Sequence, residues 1–313
     1  MESLGDIRLF VEAASLGGLS AAGRKLGLSP AAASARLLRL EASLNTRLFE
    51  RTTRQLRLTE EGRMVLLHCQ QALGALEDAQ AALQAGRGVV SGKVRISATS
   101  DFGRHVLKGW LDEFNVQYPA VTFALVLSDA LSNLLLDDID LAIRFGVPPD
   151  SSLIARRLAP NRRVLCASPE YVAAHGTPGH PQDLERFDCI VLGTAAGPAN
   201  DWRFTRCGKV ETYTVPLANS RETNDGALAR EWAVAGYGIA MKSVWDIGAD
   251  LRAGTLMMLM PEWHAPDVPV HALYHRTRYM APRVRALLDF LIERFSTVSR
   301  DLEVYLNPVT GAS

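Results

Sequence analysis

The sequence predicts a multi-domain chain: an all-α N-terminal unit carrying a winged helix-turn-helix, a long linker helix, and a larger α/β unit. Three observations carry this reading. At 313 residues the chain exceeds one ordinary domain. Basic residues crowd into one short segment near the N-terminus although the total charge is zero. Beyond residue 92, strand-like and helix-like segments alternate in the manner of an α/β domain.

The 34 Lys+Arg balance 34 Asp+Glu, a neutrality that as an average speaks against a nucleic-acid-binding tail or a membrane-seeking basic protein. The average conceals a division. Residues 20–58 hold Arg24, Lys25, Arg36, Arg39, Arg47, Arg51, Arg54 and Arg57 against only Glu41 and Glu50, a local charge of +6. The first 87 residues sum to +2 and the remainder to −2. A hydrophobic share of 48% with 22% charged residues is that of a folded chain and excludes disorder.

The first helix is expected from the apolar face of Ile7, Phe10, Val11 and Ala14. Ser20 precedes the helix-favouring run Ala21 to Leu26 as a candidate N-cap, and Gly27 follows as a C-terminal stop. Ser29-Pro30 then gives an N-cap followed by a proline at the first helical position. The next helix lines up Ala33, Leu37, Leu40 and Leu44 as one buried stripe, which makes residues 19–38 a helix-turn-helix. Arg47 to Arg51 and Gln55 to Leu58 read as two short strands, with Thr52-Thr53-Arg54 as the tip of a wing.

Such a head suits duplex DNA, because basic side chains replace counterions on phosphates and a presented helix reads base edges. Candidate DNA-binding residues are Ser20, Arg24, Ser29, Ala31, Ala32, Ser34, Ala35, Arg36, Arg39, Arg51, Thr52, Thr53 and Arg54. The alanine-rich face implies thin direct readout, with thymine-methyl contacts from Ala31, Ala32 or Ala35 and hydrogen bonds from Ser34 and Arg36.

The runs Gly18-Leu19-Ser20-Ala21-Ala22-Gly23-Arg24-Lys25-Leu26-Gly27-Leu28-Ser29-Pro30, Arg39-Leu40-Glu41, Arg47-Leu48-Phe49-Glu50-Arg51-Thr52 and Leu58-Thr59-Glu60-Glu61-Gly62 resemble the N-terminal domain of the LysR-type transcriptional regulators over about sixty residues. The chain departs from that pattern at Ala33, where the family usually has valine, and at Ala35, where it often has a basic residue. The resemblance implies a winged helix-turn-helix over residues 1–59, a dimerising linker helix over 60–86 and a periplasmic-binding-protein-like effector domain. It also implies an inverted-repeat operator in double-stranded DNA, assembly as a homodimer or tetramer, and contact with RNA polymerase at target promoters.

From Thr59 to about Ala85 the pattern is helical, with Leu66, Cys69, Leu73, Leu76 and Leu83 in three- and four-residue steps that suit a dimer seam. Residues 87–92 form the expected hinge. Expected strands are 94–98, 122–127, 141–145, 164–167, 189–192, 239–241 and 270–274, and expected helices 102–117, 169–175, 227–235 and 282–296. The resemblance places subdomain I at 93–163 plus 269–300 and subdomain II at 164–268, leaving 301–313 as a tail. The cleft between them is the natural ligand site. Hydroxyls and free N–H groups at helix starts favour Thr99, Ser100, Phe102, Arg144 and Asn224 as effector residues, and a small organic acid or related metabolite as the effector.

Cys69, Cys166, Cys189 and Cys207 form no C-x-x-C pair, so neither a disulfide framework nor a zinc site is indicated. His271 and His275 lie four apart in a predicted strand beside Pro269, where surface or core histidines are the ordinary case. No dinucleotide loop or G-x-S-x-G elbow is present, so no enzyme, metal or cofactor is expected. The N-terminus lacks a signal-peptide pattern and no apolar run reaches membrane-spanning length, so a cytoplasmic location without membrane contact is expected. Two other classes compete. One is a small-molecule-binding protein or enzyme with an incidental basic N-terminus, and the other an architectural DNA binder without effector control.

Overall fold

The computed structural model describes residues 3–51, 56–85, 89–129, 139–146, 153–194, 196–275 and 280–306. The chain divides into two compact units, Met1–Arg87 and Gly88–Ser313.

In the first unit, α1 (Leu4–Leu16), α2 (Leu19–Lys25) and α3 (Pro30–Ser43) are followed by β1 (Phe49–Arg51), β2 (Leu56–Leu58) and α4 (Glu60–Ala85). Ser29 caps α3, its hydroxyl accepting the Ala32 N–H at 3.2 Å, with Pro30 at the first helical position. Ser20 does not cap α2: Gly18 is the N-cap and Ser20 lies exposed in the first turn, because the helix begins at Leu19, two residues earlier than expected. The core joins Leu9, Phe10, Ala13, Ala22, Ala33, Leu37, Leu40, Leu48 and Phe49. Leu9 and Ala13 bury where the sequence favoured Ile7, Val11 and Ala14, which pack at its edge. Ala33 suits a close approach of α2 and α3, since a Cβ placed on Gly23 would lie 3.1 Å from the Ala33 Cβ.

The wing is tied to its neighbours by two polar side chains. Glu41 Oε1 accepts the Leu48 and Phe49 N–H groups at 2.9 and 3.3 Å. Thr59 Oγ1 donates to the Arg47 carbonyl at 2.8 Å and accepts the Gly62 N–H at 2.9 Å, which starts α4. At Gly62 only glycine fits, because a Cβ would stand 2.1 Å from the Leu48 carbonyl oxygen. The wing tip, Thr52-Thr53-Arg54, lies outside the described residues. Along α4 the expected seam splits: Leu66 and Cys69 pack on the core of the head, whereas Leu76 and Leu83 are exposed.

The second unit holds two sheets. Its strands are β3 (Gly92–Ala98), β4 (Val121–Leu127), β5 (Leu141–Phe145), β6 (Leu153–Ala159), β7 (Arg163–Ala167), β8 (Cys189–Thr194), β9 (Gly197–Pro198), β10 (Asp201–Arg206), β11 (Lys209–Thr214), β12 (Ser220–Thr223), β13 (Ile239–Ser243), β14 (Met257–Leu259) and β15 (Val270–His275). Its helices are α5 (Ser100–Phe102), which runs through a π-helical turn, Gly103–Leu107, into α6 (Lys108–Gln117); then α7 (Pro169–His175), α8 (Gly226–Val234), α9 (Val244–Ala253) and α10 (Pro282–Leu306).

The first sheet has the order β4-β3-β5-β15-β6 and the second β12-β8-β13-β7-β14, while β10 and β11 pair as a separate hairpin. In each sheet parallel strands sit beside antiparallel ones, because the chain crosses between sheets and returns. The outgoing crossing, after β6, and the return crossing, before β15, are laced by Asn161, which donates to the Val268 carbonyl at 3.0 Å and accepts from the Ser243 hydroxyl at 2.9 Å.

Several elements were not predicted. Strand β6 carries Arg156 and Arg157, a charged edge without clean alternation. The β10–β11 turn at Cys207-Gly208 has both residues at positive φ, 49° and 79°, the geometry of a tight hairpin. Helix α9 follows β13 directly, started by the Ser243 hydroxyl accepting the Trp245 N–H at 3.1 Å. Gly92 opens β3 instead of closing a hinge, and α10 runs to Leu306 with Leu302 and Leu306 buried, so the expected tail is helical as far as that residue.

The largest apolar cluster draws on both sheets, with Phe102 at its aromatic centre. Phe102 stacks on Phe295 at 5.6 Å and meets Trp110 and Phe145 edge-on at 5.7 and 5.6 Å. It is fully buried and lines no cleft cavity, which corrects its assignment as an effector residue: its ring turns into the core while the neighbouring polar groups turn to the cleft. Phe102→Ala should therefore destabilise this unit by about 3–5 kcal/mol, lowering its thermal transition by on the order of 10 °C. An unshifted transition with lost ligand binding would restore the effector role.

Candidate nucleic-acid interface and effector cleft

Helix α3 buries Ala33, Leu37 and Leu40, which leaves Ala31, Ala35 and Leu38 exposed on other faces, with Ser34 half-buried between them. Leu38, 52% exposed, was not singled out from the sequence, although it continues the three- and four-residue steps from Ala31 through Ser34 and Ala35. This face is short, methyl-rich and carries one hydroxyl, a surface suited to thymine methyl groups and a single hydrogen bond to a base edge.

Charge around the face is partly neutralised from within. Arg39 makes a two-pronged contact with Asp6 of α1, at 3.3 and 3.1 Å, and Arg36 approaches the same carboxylate at 3.7 Å. Lys25 pairs with Glu12 at 2.7 Å. Arg24 and Arg47 are exposed, Arg51 ends β1, and Ala32 is half-buried in the first turn of α3. The Ser29 hydroxyl is engaged in capping.

In the second unit two cavities open between the sheets. One, of about 130 Å³, is lined from the first sheet's side by Thr99, Asp101, Asp129 and Phe145, and from the second's by Ile190, Leu192, Trp202, Gly226, Met241, Lys242 and Asp246, among others. The other, of about 390 Å³, is bordered by Ser100, Arg104, Asp129, Thr194, Asn224 and Asp225 with their neighbours.

Among the described residues, the polar ties that cross the cleft include three at carboxylates. The Lys242 ammonium lies 2.5 Å from Asp101 Oδ2 and 3.7 Å from Asp246 Oδ2, and donates to the Gly226 carbonyl at 2.7 Å. Asp129 accepts the Ser100 N–H at 3.0 Å, the Ser100 hydroxyl, and from the opposite side the Gly226 N–H at 2.9 Å. Arg104 pairs with Asp225 at 2.9 Å, while Asp225 also caps α8 through the Ala227 N–H at 2.9 Å.

Burial dominates the electrostatics. It pushes the Asp246 carboxyl up to about 7 against the pull of Lys242, with Asp101 adding repulsion. It raises Asp101 as well, opposed by Lys242, while Lys242 itself is raised because the carboxylates of Asp246 and Asp101 outweigh its own burial. Burial lowers the Arg144 guanidinium to about 10. Cys166 and Cys189 are both pushed up to about 12 by burial, which makes them poor nucleophiles. Among the described residues no group of three or more His, Cys, Asp or Glu side chains is placed to hold a metal ion.

Comparison with known proteins accounts for both units. Residues 4–63 match the bacterial regulatory helix-turn-helix protein, lysR family, and residues 87–296 match the LysR substrate binding domain. The chain belongs to the LysR-type family of transcriptional regulators. It is 34% identical over 293 residues to the regulator DmlR of Escherichia coli, covering 94% of each chain, and 31% identical to the regulator CrgA of Neisseria meningitidis, covering 92% of this chain and 95% of CrgA. The solved structure of CrgA matches with a TM-score of 0.61 at 30% identity, over 93% of this chain and 98% of that one. The full-length virulence activator AphB of Vibrio cholerae matches with a TM-score of 0.58 at 26% identity, over 94% and 99%. A helix-turn-helix head and a two-subdomain α/β effector domain thus make this LysR-type protein a DNA-binding regulator modulated by an effector.

In this LysR-type regulator the expected effector residues part company. Thr99 lines the smaller cavity, Ser100 and Asn224 the larger. Arg144 lines neither: it is buried in β5, donating to the Ile143 carbonyl at 2.9 Å and the Ser97 hydroxyl at 2.7 Å, because Leu141, Ile143 and Phe145 point to the main core and Arg144 lies on the other face of the strand. Asp101, Asp129, Lys242 and Asp246 were missed. A lysine inside the apolar run Ile239 to Ser243 was the available signal.

A carboxyl whose folded pKa, about 7, exceeds its ordinary value stabilises the fold fully only at low pH, and that contribution is lost as pH rises from about 4 to about 7. Asp246→Asn stays neutral throughout. Its stability relative to the wild type should therefore grow between pH 5 and pH 8 in paired thermal melts, and a pH-independent difference would contradict the assignment.

Proposed function

We infer that this regulator binds an inverted-repeat operator as a homodimer or tetramer, reading bases with the exposed face of α3 and phosphates with the basic residues around it. The observation that carries the reading is the Ala31, Ser34, Ala35 and Leu38 surface, an apolar helix face on the most basic segment of the chain. Arg24, Arg51, Arg54 and the wing-tip hydroxyls of Thr52 and Thr53 serve the backbone, where sequence-independent contacts fix register. Ser29 acts by starting α3, and Arg36 and Arg39 act partly by fixing α3 to α1 through Asp6.

The exposed Leu76 and Leu83 of α4 support pairing of two chains through the linker helix, which presents two heads to two half-sites. A small organic metabolite held between the two sheets shifts the assembly between arrangements that bind or bend the operator differently, and so changes RNA polymerase recruitment. That coupling requires the metabolite to bind one arrangement better than the other. The similar proteins DmlR and CrgA are regulators, which supports this reading.

Gel-shift titrations on DNA flanking the protein's own gene test the division of roles. Arg54→Ala should weaken binding to specific and random DNA alike and reduce the magnitude of the salt slope by about 1. Ser34→Ala should alter preference at one base position by about 1–3 kcal/mol while leaving the slope unchanged. If both variants affect specific and random DNA equally, the assignment of α3 as the reading face fails.

A further inference from the structure

Resting on the reading of this cleft as the effector site, we propose that it takes a small organic cation, a primary amine, and that Asp129 occupies from within the chain the place an anionic effector would take. Two helix starts meet at the cleft, at Ser100 and at Gly226. Their donors are the groups that hold a carboxylate in such a place: two backbone N–H groups and a hydroxyl. All three donate to the Asp129 carboxylate. An anionic ligand entering here meets a fixed negative charge and donors already engaged.

What remains is a demand for donors. The cavity of about 130 Å³ is lined by Thr99, Asp101 and Asp246, whose Oγ1, Oδ1 and Oδ1 atoms respectively are buried with no hydrogen-bond partner among the described residues. Asp101 is 1% exposed; beyond Lys242, the His105 ring lies near it, with Nε2 3.8 Å from Oδ1, and Arg230 acts on it electrostatically. Arg230 is turned to Asp250, at 2.6 and 2.9 Å, and makes a long contact of 3.4 Å with His105. The cavity lining itself carries Asp101, Asp129, Asp246 and Asp201 against Lys242 and Arg163, while Arg230 acts on Asp101, and Arg104 and Arg144 on Asp129, from outside that lining.

A buried acceptor left unpaired is costly, and a buried excess of negative charge more so. An ammonium group satisfies both, because it carries three donors, no acceptor and one positive charge. The apolar wall of Ile190, Leu192, Trp202 and Met241 suits a short hydrocarbon body. The volume corresponds to a ligand of roughly six to eight heavy atoms, on the scale of an engineered cavity of similar size that admits benzene. Burial raises the Asp101 and Asp246 carboxyls, as an uncompensated cluster requires, and bound ammonium would lower them again.

The test is calorimetric titration of the full-length chain with n-butylamine and benzylamine against their near-isosteres butyrate and benzoate, at matched ionic strength. The wild type should bind the amines and not the carboxylates. Asp101→Asn should weaken amine binding roughly tenfold or more, the loss of a charge-assisted hydrogen bond. Asp129→Ala, which frees the Ser100 and Gly226 donors, should gain binding of the carboxylates. Should Asp101→Asn fail to fold in a thermal melt, the wild-type comparison and Asp129→Ala decide alone. Carboxylate binding by the wild type, or no amine binding, overturns the proposal. Operator gel shifts without ligand test the regulator reading separately, so failure of the ligand class and failure of that reading are distinguishable.

Discussion

One buried ammonium organises the effector unit. Lys242 stands at the meeting point of two sheets that the chain builds from alternating stretches, and its partners come from both: Asp101 at the start of the helix after β3, the Gly226 carbonyl at the start of α8, and Asp246 in the first turn of α9. Burying that charge alone would be strongly unfavourable, so its partners have to be in place whenever the unit is closed. The position of α5, α8 and α9 relative to one another is thereby fixed by a single side chain. Removing one partner leaves the others with uncompensated charge, which makes the cluster sensitive to whatever enters the neighbouring cavity.

The division of labour between apolar and polar contacts follows. Near the crossings the two halves share an aromatic cluster in which Trp245 meets Trp110 at 6.3 Å and Phe295 at 4.9 Å, and the Trp245 indole donates to the Pro160 carbonyl at 2.9 Å. Such contacts are large and weakly directional, and they keep the halves joined through small rotations. At the cleft the ties are charged and directional: Asp129 to Gly226, Arg104 to Asp225, Lys242 to Asp101. Directional ties between ionised groups are the ones a small charged ligand can replace with contacts of comparable strength. The unit is therefore apolar where its halves are joined and ionic at the cleft.

What was legible in the sequence follows from how local each determinant is. Ser29-Pro30, the Ala33-Leu37-Leu40 stripe and the turn between α2 and α3 act over a few residues, and each was readable from spacing alone. The Ser20 cap was not, because the helix start moves two residues back, to a cap at Gly18. The cleft was the least legible part. Asp129 and Gly226 are 97 residues apart in sequence, and no periodicity links them. Strand β13 was expected over 239–241, yet it runs on to Ser243, with Lys242 finding its partners in the interior. Phe102 was misplaced for the converse reason: it shares a helix start with polar groups, and only the packing of Phe295 and Trp110 decides which way its ring points.

The same logic bears on the charge of the DNA-binding head. Counted along the chain, residues 20–58 hold +6, but Arg36 and Arg39 share the Asp6 carboxylate and Lys25 engages Glu12, both acids lying outside that segment. Internally paired cations release fewer counterions on meeting phosphate, so the head's electrostatic pull is weaker than its sequence charge suggests. Asp6 is 5% exposed and cannot readily be swung aside, so Arg36 and Arg39 are held to α1 and set the pose of α3. On the proposed reading, a head with a modest charge and a methyl-rich exposed face on α3 gains its discrimination from geometry, with two heads presented together at a fixed spacing. On that reading the apolar positions left exposed on α4, Leu76 and Leu83, carry the pairing that presents the two heads.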